Sequence, residues 1–185
     1  DIAQIKAGDN VAIAGIGGIG MIILNEIILS GAANITVIEP SVNKHQTALD
    51  MGAAYCINPF EEDVEKRAME ITGGRGYDVV FECSGAPGGA QTPVKIVGKC
   101  GKCVYFAVFP PTFEMPLNLY DLYMKEASIH TVFTSPEIVY RAINSVPRLQ
   151  TDKIIGKVVP FENWEEGVDA FDSKQYAKVV YDFGE

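Results

Sequence analysis

Asn10–Gly20 reads NVAIAGIGGIG, and this stretch decides the fold. Its first half, Asn10–Ala14, is a short continuous apolar run, the pattern of a strand buried on both faces. Gly15, Gly17 and Gly20 follow as GxGxxG, and from Gly18 to Ser30 apolar residues recur at helical spacing. Gly31 then supplies a residue suited to the left-handed end of a helix. Each glycine has a reason to stand between a strand and a helix. Gly15 permits the tight turn, Gly17 leaves room for a phosphate against the backbone, and Gly20 lets the helix pack closely on the strand. Gly18 adds room at the same turn. The unpaired N–H groups of the first helical turn, with the helix dipole behind them, would face an anion. The arrangement points to the pyrophosphate of a dinucleotide.

Working outward, Asn34–Ile38 (NITVI) is β-branched and apolar and reads as the second strand. Glu39 stands at its end, roughly the ~20 residues downstream that a dinucleotide site expects. A carboxylate there can accept hydrogen bonds from both hydroxyls of the adenosine ribose and would repel the extra phosphate of NADP. Pro40 and Ser41 follow without an Arg, so the expected cofactor is NAD. An S-adenosylmethionine methyltransferase also pairs a glycine-rich turn with an acidic residue, but the complete GxGxxG and the strand count argue against it. A P-loop is excluded because no GK[ST] follows the glycines.

The alternation continues along the chain. Ser41–Met51 reads as a helix ended by Gly52, and Ala54–Ile57 as a third strand. Asn58-Pro59 predicts a helix start, with Glu61, Glu62 and Asp63 in its first turn, where negative charge favours the dipole. Asp78–Cys83 is the fourth strand, Ala90–Val97 a helix, and Lys102–Val108 the fifth strand. After the proline-rich FPPTFEMP come a helix at Leu119–Lys125, a sixth strand at Ser128–Phe133 and a helix at Pro136–Val146. Short connections between alternating elements predict an α/β fold, a doubly wound six-stranded parallel Rossmann sheet. Beyond Thr151 lies a short appendage, a helix at Glu162–Phe171 and a strand at Ala177–Phe183. The expected division is 1–150 for the dinucleotide-binding domain and 151–185 for a C-terminal segment.

Composition narrows the function classes. The 185 residues carry a net charge of −9 with no run of Lys or Arg, which disfavours nucleic acid as a partner. Mean hydropathy is +0.11, and the most apolar stretch, Met21–Leu29, contains Asn25 and Glu26 and is too short to span a bilayer. No signal peptide is visible, so the expected location is cytoplasmic. The opening DIAQIKAGDN has no initiator Met and reads as the interior of a longer chain. Cys56, Cys83, Cys100 and Cys103 do not have the spacing of a disulfide framework. Cys100 and Cys103 form one CxxC with no second ligand pair, in a stretch that reads as a turn entering a strand rather than a helix start, so packing is its expected role. His45 in the second helix and His130 in a strand read as structural histidines.

The segments KAGDNVAIAGIGGIG, EPSVNKHQTALDMGA, YDVVFECSGAP, GKCGKCVYFAVF, LYDLYMKEASIHTVF and EEGVDAFDSKQYAKVVYDF, in that order, resemble the cofactor domain of the medium-chain dehydrogenase/reductases. Within that superfamily they are most similar to the zinc-dependent alcohol and polyol dehydrogenases of the sorbitol- or threonine-dehydrogenase type. The resemblance implies that Gly15, Gly17, Gly18, Ile19 and Gly20 hold the pyrophosphate, Glu39 the adenosine ribose, and that Lys44 lies near that ribose. It implies that Cys83 and Ser84 line the cofactor cleft. Val108 and Phe109, and Thr131, Val132 and Phe133, would flank the nicotinamide. Thr131 stands where relatives often have glycine.

The resemblance further implies a whole protein that moves a hydride between NAD and the carbon of a small secondary alcohol or polyol. Its catalytic zinc would be held by a separate domain, with no catalytic or metal-binding residue in this chain, which alone would bind cofactor without turnover. Residues 151–185 would return to that domain, leaving the last strand without its natural partner. Relatives pair through the edge strand, here 128–133, which implies a homodimer or tetramer. The alternative is a stand-alone NAD(H)-binding or assembly module without catalysis.

Overall fold

The computed structural model describes residues 2–134 and 138–184. Strands β1 (Asn10–Ala14), β2 (Asn34–Ile38), β3 (Tyr55–Ile57), β4 (Tyr77–Glu82), β5 (Val97–Tyr105) and β6 (Ser128–Thr131) form one parallel sheet in the order β3-β2-β1-β4-β5-β6. Between them run α1 (Gly18–Ser30), α2 (Val42–Met51), α3 (Val64–Ile71), α4 (Thr92–Ile96) and α5 (Leu119–Lys125). After β6 come α6 (Val139–Ser145), α7 (Thr151–Ile154), β7 (Ile155–Pro160), α8 (Trp164–Asp172) and β8 (Lys178–Asp182). The expected doubly wound six-stranded sheet is what the chain forms.

Side chains alternate across a strand, and β1 shows what this does to the core. Val11 and Ile13 join Met21, Leu24 and Ile27 of α1 and Ala48 and Met51 of α2 in one buried cluster. Ala12 and Ala14 face the opposite cluster with Ile57, Ala68, Tyr77 and Ile96. Both faces are covered, which is why the strand reads as a continuous apolar run. Full burial of a side chain such as Leu24 or Ile27 stabilises the fold by about 1.5–3 kcal/mol.

Several boundaries differ from the sequence reading. The third helix starts at Val64, not at Pro59. Asn58 closes a turn instead: its Oδ1 accepts the Phe60 N–H at 3.1 Å, and its carbonyl accepts the N–H groups of Glu61 and Glu62. Asp63 is the capping residue, taking the Lys66 N–H at 3.0 Å. Asn and Asp compete for the same role, and the side chain that bonds its own turn loses the helix. Glu61 and Glu62 therefore precede the helix, and Glu65 occupies its first turn.

The fifth strand runs from Val97 to Tyr105 rather than from Lys102 to Val108. Its register with β4 slips between Tyr77↔Val97 and Val79↔Lys102, so Gly98–Gly101 bulges out. A Cβ on Gly98 would lie 2.5 Å from the Arg75 carbonyl, and Cys100 adopts φ 57°. The turn expected near the CxxC thus exists inside the strand. The sixth strand ends at Thr131, leaving Val132 and Phe133 beyond it. The first residues of the expected Pro136–Val146 helix lie outside the described residues, and α6 runs from Val139.

The C-terminal part contains a strand that periodicity did not show. β7 pairs in parallel with β8, so the final strand has a partner, contrary to expectation. Exposed Ile155 and Val158 blurred its pattern. The segment is fastened to the dinucleotide fold at its start. Asn25 Oδ1, inside α1, accepts the Gln150 N–H at 3.2 Å, and Lys153 Nζ donates to the Asp50 carbonyl at 2.6 Å.

Candidate functional site

The strand order reverses between β1 and β4, and a crevice opens at the carboxyl ends of strands where such a reversal occurs. The expected site residues gather along this edge. Gly15 to Gly20 follow β1, Glu39 follows β2, Cys83 and Ser84 follow β4, and Thr131 ends β6.

The glycines separate into two kinds. Gly15 has φ +87°, and a Cβ on it would come within 2.7–2.8 Å of Ser84. Gly20 is tighter, since its Cβ would lie 2.2 Å from the Gly15 carbonyl oxygen. Both are required by packing. Gly17 is different: its φ is −66°, and nothing lies within 4 Å of a Cβ built there. The space over Gly17 is open, at the N-cap of a 13-residue helix that no side chain caps. Open space, uncapped N–H groups and a helix dipole make this a place for a phosphate group.

Glu39 is 5% exposed and every polar atom of it is engaged. Its Oε2 accepts the Ile16 N–H at 3.0 Å, while Oε1 takes the Ser41 N–H at 3.0 Å and Lys44 Nζ at 3.3 Å. Its own N–H donates to the Ile57 carbonyl, and its carbonyl meets His45 Nε2 at 2.6 Å. A carboxylate offers about four acceptor directions, of which these donors use three. The one left, on Oε2, can receive a hydroxyl. A second hydroxyl requires Lys44 or Ser41 to yield. Lys44 is itself buried, its ammonium held by Glu39 rather than by solvent.

A second glutamate, which the sequence reading passed over, organises the facing wall. Glu82 ends β4 and is fully buried. Its carboxylate accepts the Ser84 N–H at 3.0 Å, the Ser84 hydroxyl, and the Gly85 N–H at 3.2 Å. Its carbonyl takes the N–H groups of Phe106 and Ala107, so the loops after β4 and β5 both hang from it. An acid closing the apolar run VVFEC was the signal available.

Lys178 is the other residue that sequence reading did not single out. A Cβ on Gly18 would meet the Ala177 carbonyl at 3.2 Å and Lys178 Cδ at 3.7 Å. The lysine stem therefore crosses the start of α1. Among the described residues its ammonium has no ion pair.

The remaining expected residues are spread more widely. Ile19 is 56% exposed at the mouth of the crevice. Cys83 is half-buried, and burial with the Glu82 charge pushes its thiol up to about 12. Val108 is 89% exposed, three residues past the end of β5. Phe109 turns to Tyr105 and stacks on Phe113 with ring centroids 5.3 Å apart. Val132 packs on the α1-side core, and Phe133 is 87% exposed. Burial also raises Cys103 to about 12, the reverse of a redox-active thiol. Among the described residues no group of three or more His, Cys, Asp or Glu could hold a metal ion. No helix among them is long and apolar enough to cross a membrane.

The profile of the zinc-binding dehydrogenases matches residues 18–147. The chain is 33% identical over 181 residues to the L-threonine 3-dehydrogenase of Pyrococcus furiosus, covering 95% of this chain and 51% of that one. It superposes with a TM-score of 0.92 on a crystal structure assigned to the zinc-binding dehydrogenases from Clostridium scindens, at 37% identity, covering 99% of this chain and 52% of the other. A further zinc-binding dehydrogenase structure, from Sinorhizobium meliloti and bound to NADP, matches with a TM-score of 0.84 at 25% identity, covering 91% of this chain and 50% of its own. The chain spans about half the length of the curated relatives it matches. It belongs to the zinc-binding dehydrogenase family.

Proposed function

We propose that this member of the zinc-binding dehydrogenase family holds NAD(H), in preference to NADP(H), for a dehydrogenase acting on a secondary alcohol or polyol. The observation that carries the cofactor choice is the Glu39 carboxylate, bonded to the Ile16 N–H at 3.0 Å with one acceptor direction left. A ribose hydroxyl can fill that direction. A 2′-phosphate in the same place would meet a buried negative charge. The neighbour bound to NADP shows that the family's fold accommodates that cofactor, so the preference for NAD(H) rests on this side chain.

The residues that fit the cofactor act by binding and orientation. Gly17 and the first N–H groups of α1 receive the pyrophosphate, with Lys178 supplying a cation beside them. Lys44 holds the Glu39 carboxylate in place. The loops hung from Glu82 bound the far side of the crevice, toward which the nicotinamide extends, with Val108, Phe109 and Thr131 to Phe133 nearest it. The nicotinamide, when bound, supplies the hydride donor or acceptor. The chain's contribution is to present it in one orientation.

Residues 1–150 form the cofactor unit in this reading, and 151–185 belong with the remainder of the whole protein, where zinc and most of the substrate pocket reside. The chain alone binds cofactor without turnover. A second copy docks on the exposed edge at β6, where Ile129 and, from α5, Leu119, Tyr120 and Tyr123 are accessible. Assaying the whole protein with NAD and a panel of secondary alcohols, including L-threonine, with and without a zinc chelator, tests the activity. Chelator-sensitive oxidation of a panel member supports it, and NAD-independent or absent oxidation across the panel contradicts it.

A further inference from the structure

His45 stands outside the cofactor contacts described above. Read as a structural helix residue, it lies in the first turns of α2 and directs Nε2 at the main-chain carbonyl of Glu39, 2.6 Å away. A carbonyl only accepts, so the hydrogen resides on Nε2. The contact is made at a place where the sheet has run out. Glu39 follows the last residue of β2, and the Gly15 N–H takes the carbonyl of Ile38. Pro40, with no N–H and a fixed φ, comes next. The Glu39 carbonyl therefore has no strand partner, and His45 supplies one.

Consecutive residues of α2 thus grip the two ends of one glutamate. Lys44 holds its carboxylate and His45 its carbonyl, while Ile57 of β3 takes its N–H at 3.0 Å. The direction of a side chain follows from its backbone. The bond from His45 fixes the Glu39–Pro40 peptide, and with it the backbone from which the carboxylate extends to the Ile16 N–H. The Cys56 thiol, 3.7 Å from the His45 carbonyl, joins the same turn of α2 to β3.

We infer that His45 is a positioning residue, which sets the affinity for the dinucleotide through Glu39 without touching the cofactor. The inference rests on the cofactor reading above. Its test is NADH binding to this chain, followed by nicotinamide fluorescence, in the wild type, His45→Leu, His45→Gln, Glu39→Ala and the Glu39→Ala/His45→Leu double variant. Gln carries an N–H donor at about the reach of Nε2, and Leu carries none. Loss of one neutral hydrogen bond predicts binding about three- to tenfold weaker in His45→Leu, and recovery in His45→Gln. The double variant binds as Glu39→Ala does, because the histidine acts only through that residue. If His45→Leu does not fold, His45→Asn, whose amide falls short of the carbonyl, takes its place against His45→Gln.

Unchanged NADH binding in His45→Leu, with Glu39→Ala weakened, overturns the inference and leaves the cofactor reading standing. So does an equal loss from His45→Leu in both backgrounds. A wild-type chain that binds no NADH overturns the cofactor reading and the inference together.

Discussion

Glu39 and Ile16 are 23 residues apart in sequence, yet the carboxylate of the one accepts the main-chain N–H of the other at 3.0 Å. The bond joins the end of β2 to the middle of the glycine turn after β1. In the proposed cofactor site, the carboxylate that would meet the ribose also shapes the loop that would receive the pyrophosphate. Removing the carboxylate therefore acts on both halves of the cofactor. Glu39→Ala is expected to weaken NADH binding about tenfold or more, the worth of one or two hydrogen bonds to a charged group. NADPH binding should weaken less or improve. Parallel titrations of the two cofactors check this.

Gly15 and Gly17 should separate stability from binding. Gly15→Ala places a Cβ against Ser84 in a left-handed backbone and is expected to destabilise the fold by about 2–4 kcal/mol. Gly17→Ala meets no atom and has an ordinary φ, so its stability should change by less than about 1 kcal/mol. Its NADH affinity should nevertheless fall, because the methyl group occupies the phosphate's approach. Urea unfolding and cofactor titration on both variants distinguish the two effects.

Glu82→Ala leaves the N–H groups of Ser84 and Gly85 without their acceptor inside the fold. The expected cost is about 1–3 kcal/mol or more, with a looser loop after β4. Hydrogen exchange should accelerate at Ser84 and Gly85, while Phe106 and Ala107, bonded to the Glu82 main-chain carbonyl that alanine retains, and the amides of α3 keep their protection.

Lys178→Ala should weaken NADH binding about three- to tenfold at low ionic strength and by less in high salt, since the lost interaction is an exposed charge near a phosphate. Equal losses at both ionic strengths would remove Lys178 from the pyrophosphate site.

Alkaline pH should destabilise the chain through its thiols. Burial raises Cys56 from about 9 to about 11, and Cys83 and Cys103 to about 12. The folded state therefore holds these protons more tightly than the unfolded chain. The stability they contribute is fully present below about pH 9 and is lost progressively as pH rises toward 12. Urea midpoints measured from pH 7 to 11 should fall above pH 9, and less steeply in Cys83→Ala.

Much of this was legible in the sequence because the decisive signals are local. NVAIA, NITVI and the glycine turn fall where they were read, since apolar runs and glycines act over a few residues. Glu39 was found by spacing from the glycines. What was not legible depends on contacts across the chain. Asn58 and Asp63 both look like helix starts, and the turn that Asn58 closes decides between them. β7 has few inward residues because it lies in a two-stranded sheet with much of its surface open. Glu82 and His45 owe their roles to hydrogen bonds with main-chain groups, which the apolar periodicity does not encode. Lys178 reaches the start of α1 from 160 residues away, across a segment whose path was not anticipated.

Calorimetric titration of this chain with NADH and with NADPH under the same conditions tests the cofactor preference directly. NADH should bind, and NADPH should bind at least about tenfold more weakly because its 2′-phosphate would meet the Glu39 carboxylate. Equal or tighter binding of NADPH, or no binding of either, would contradict it.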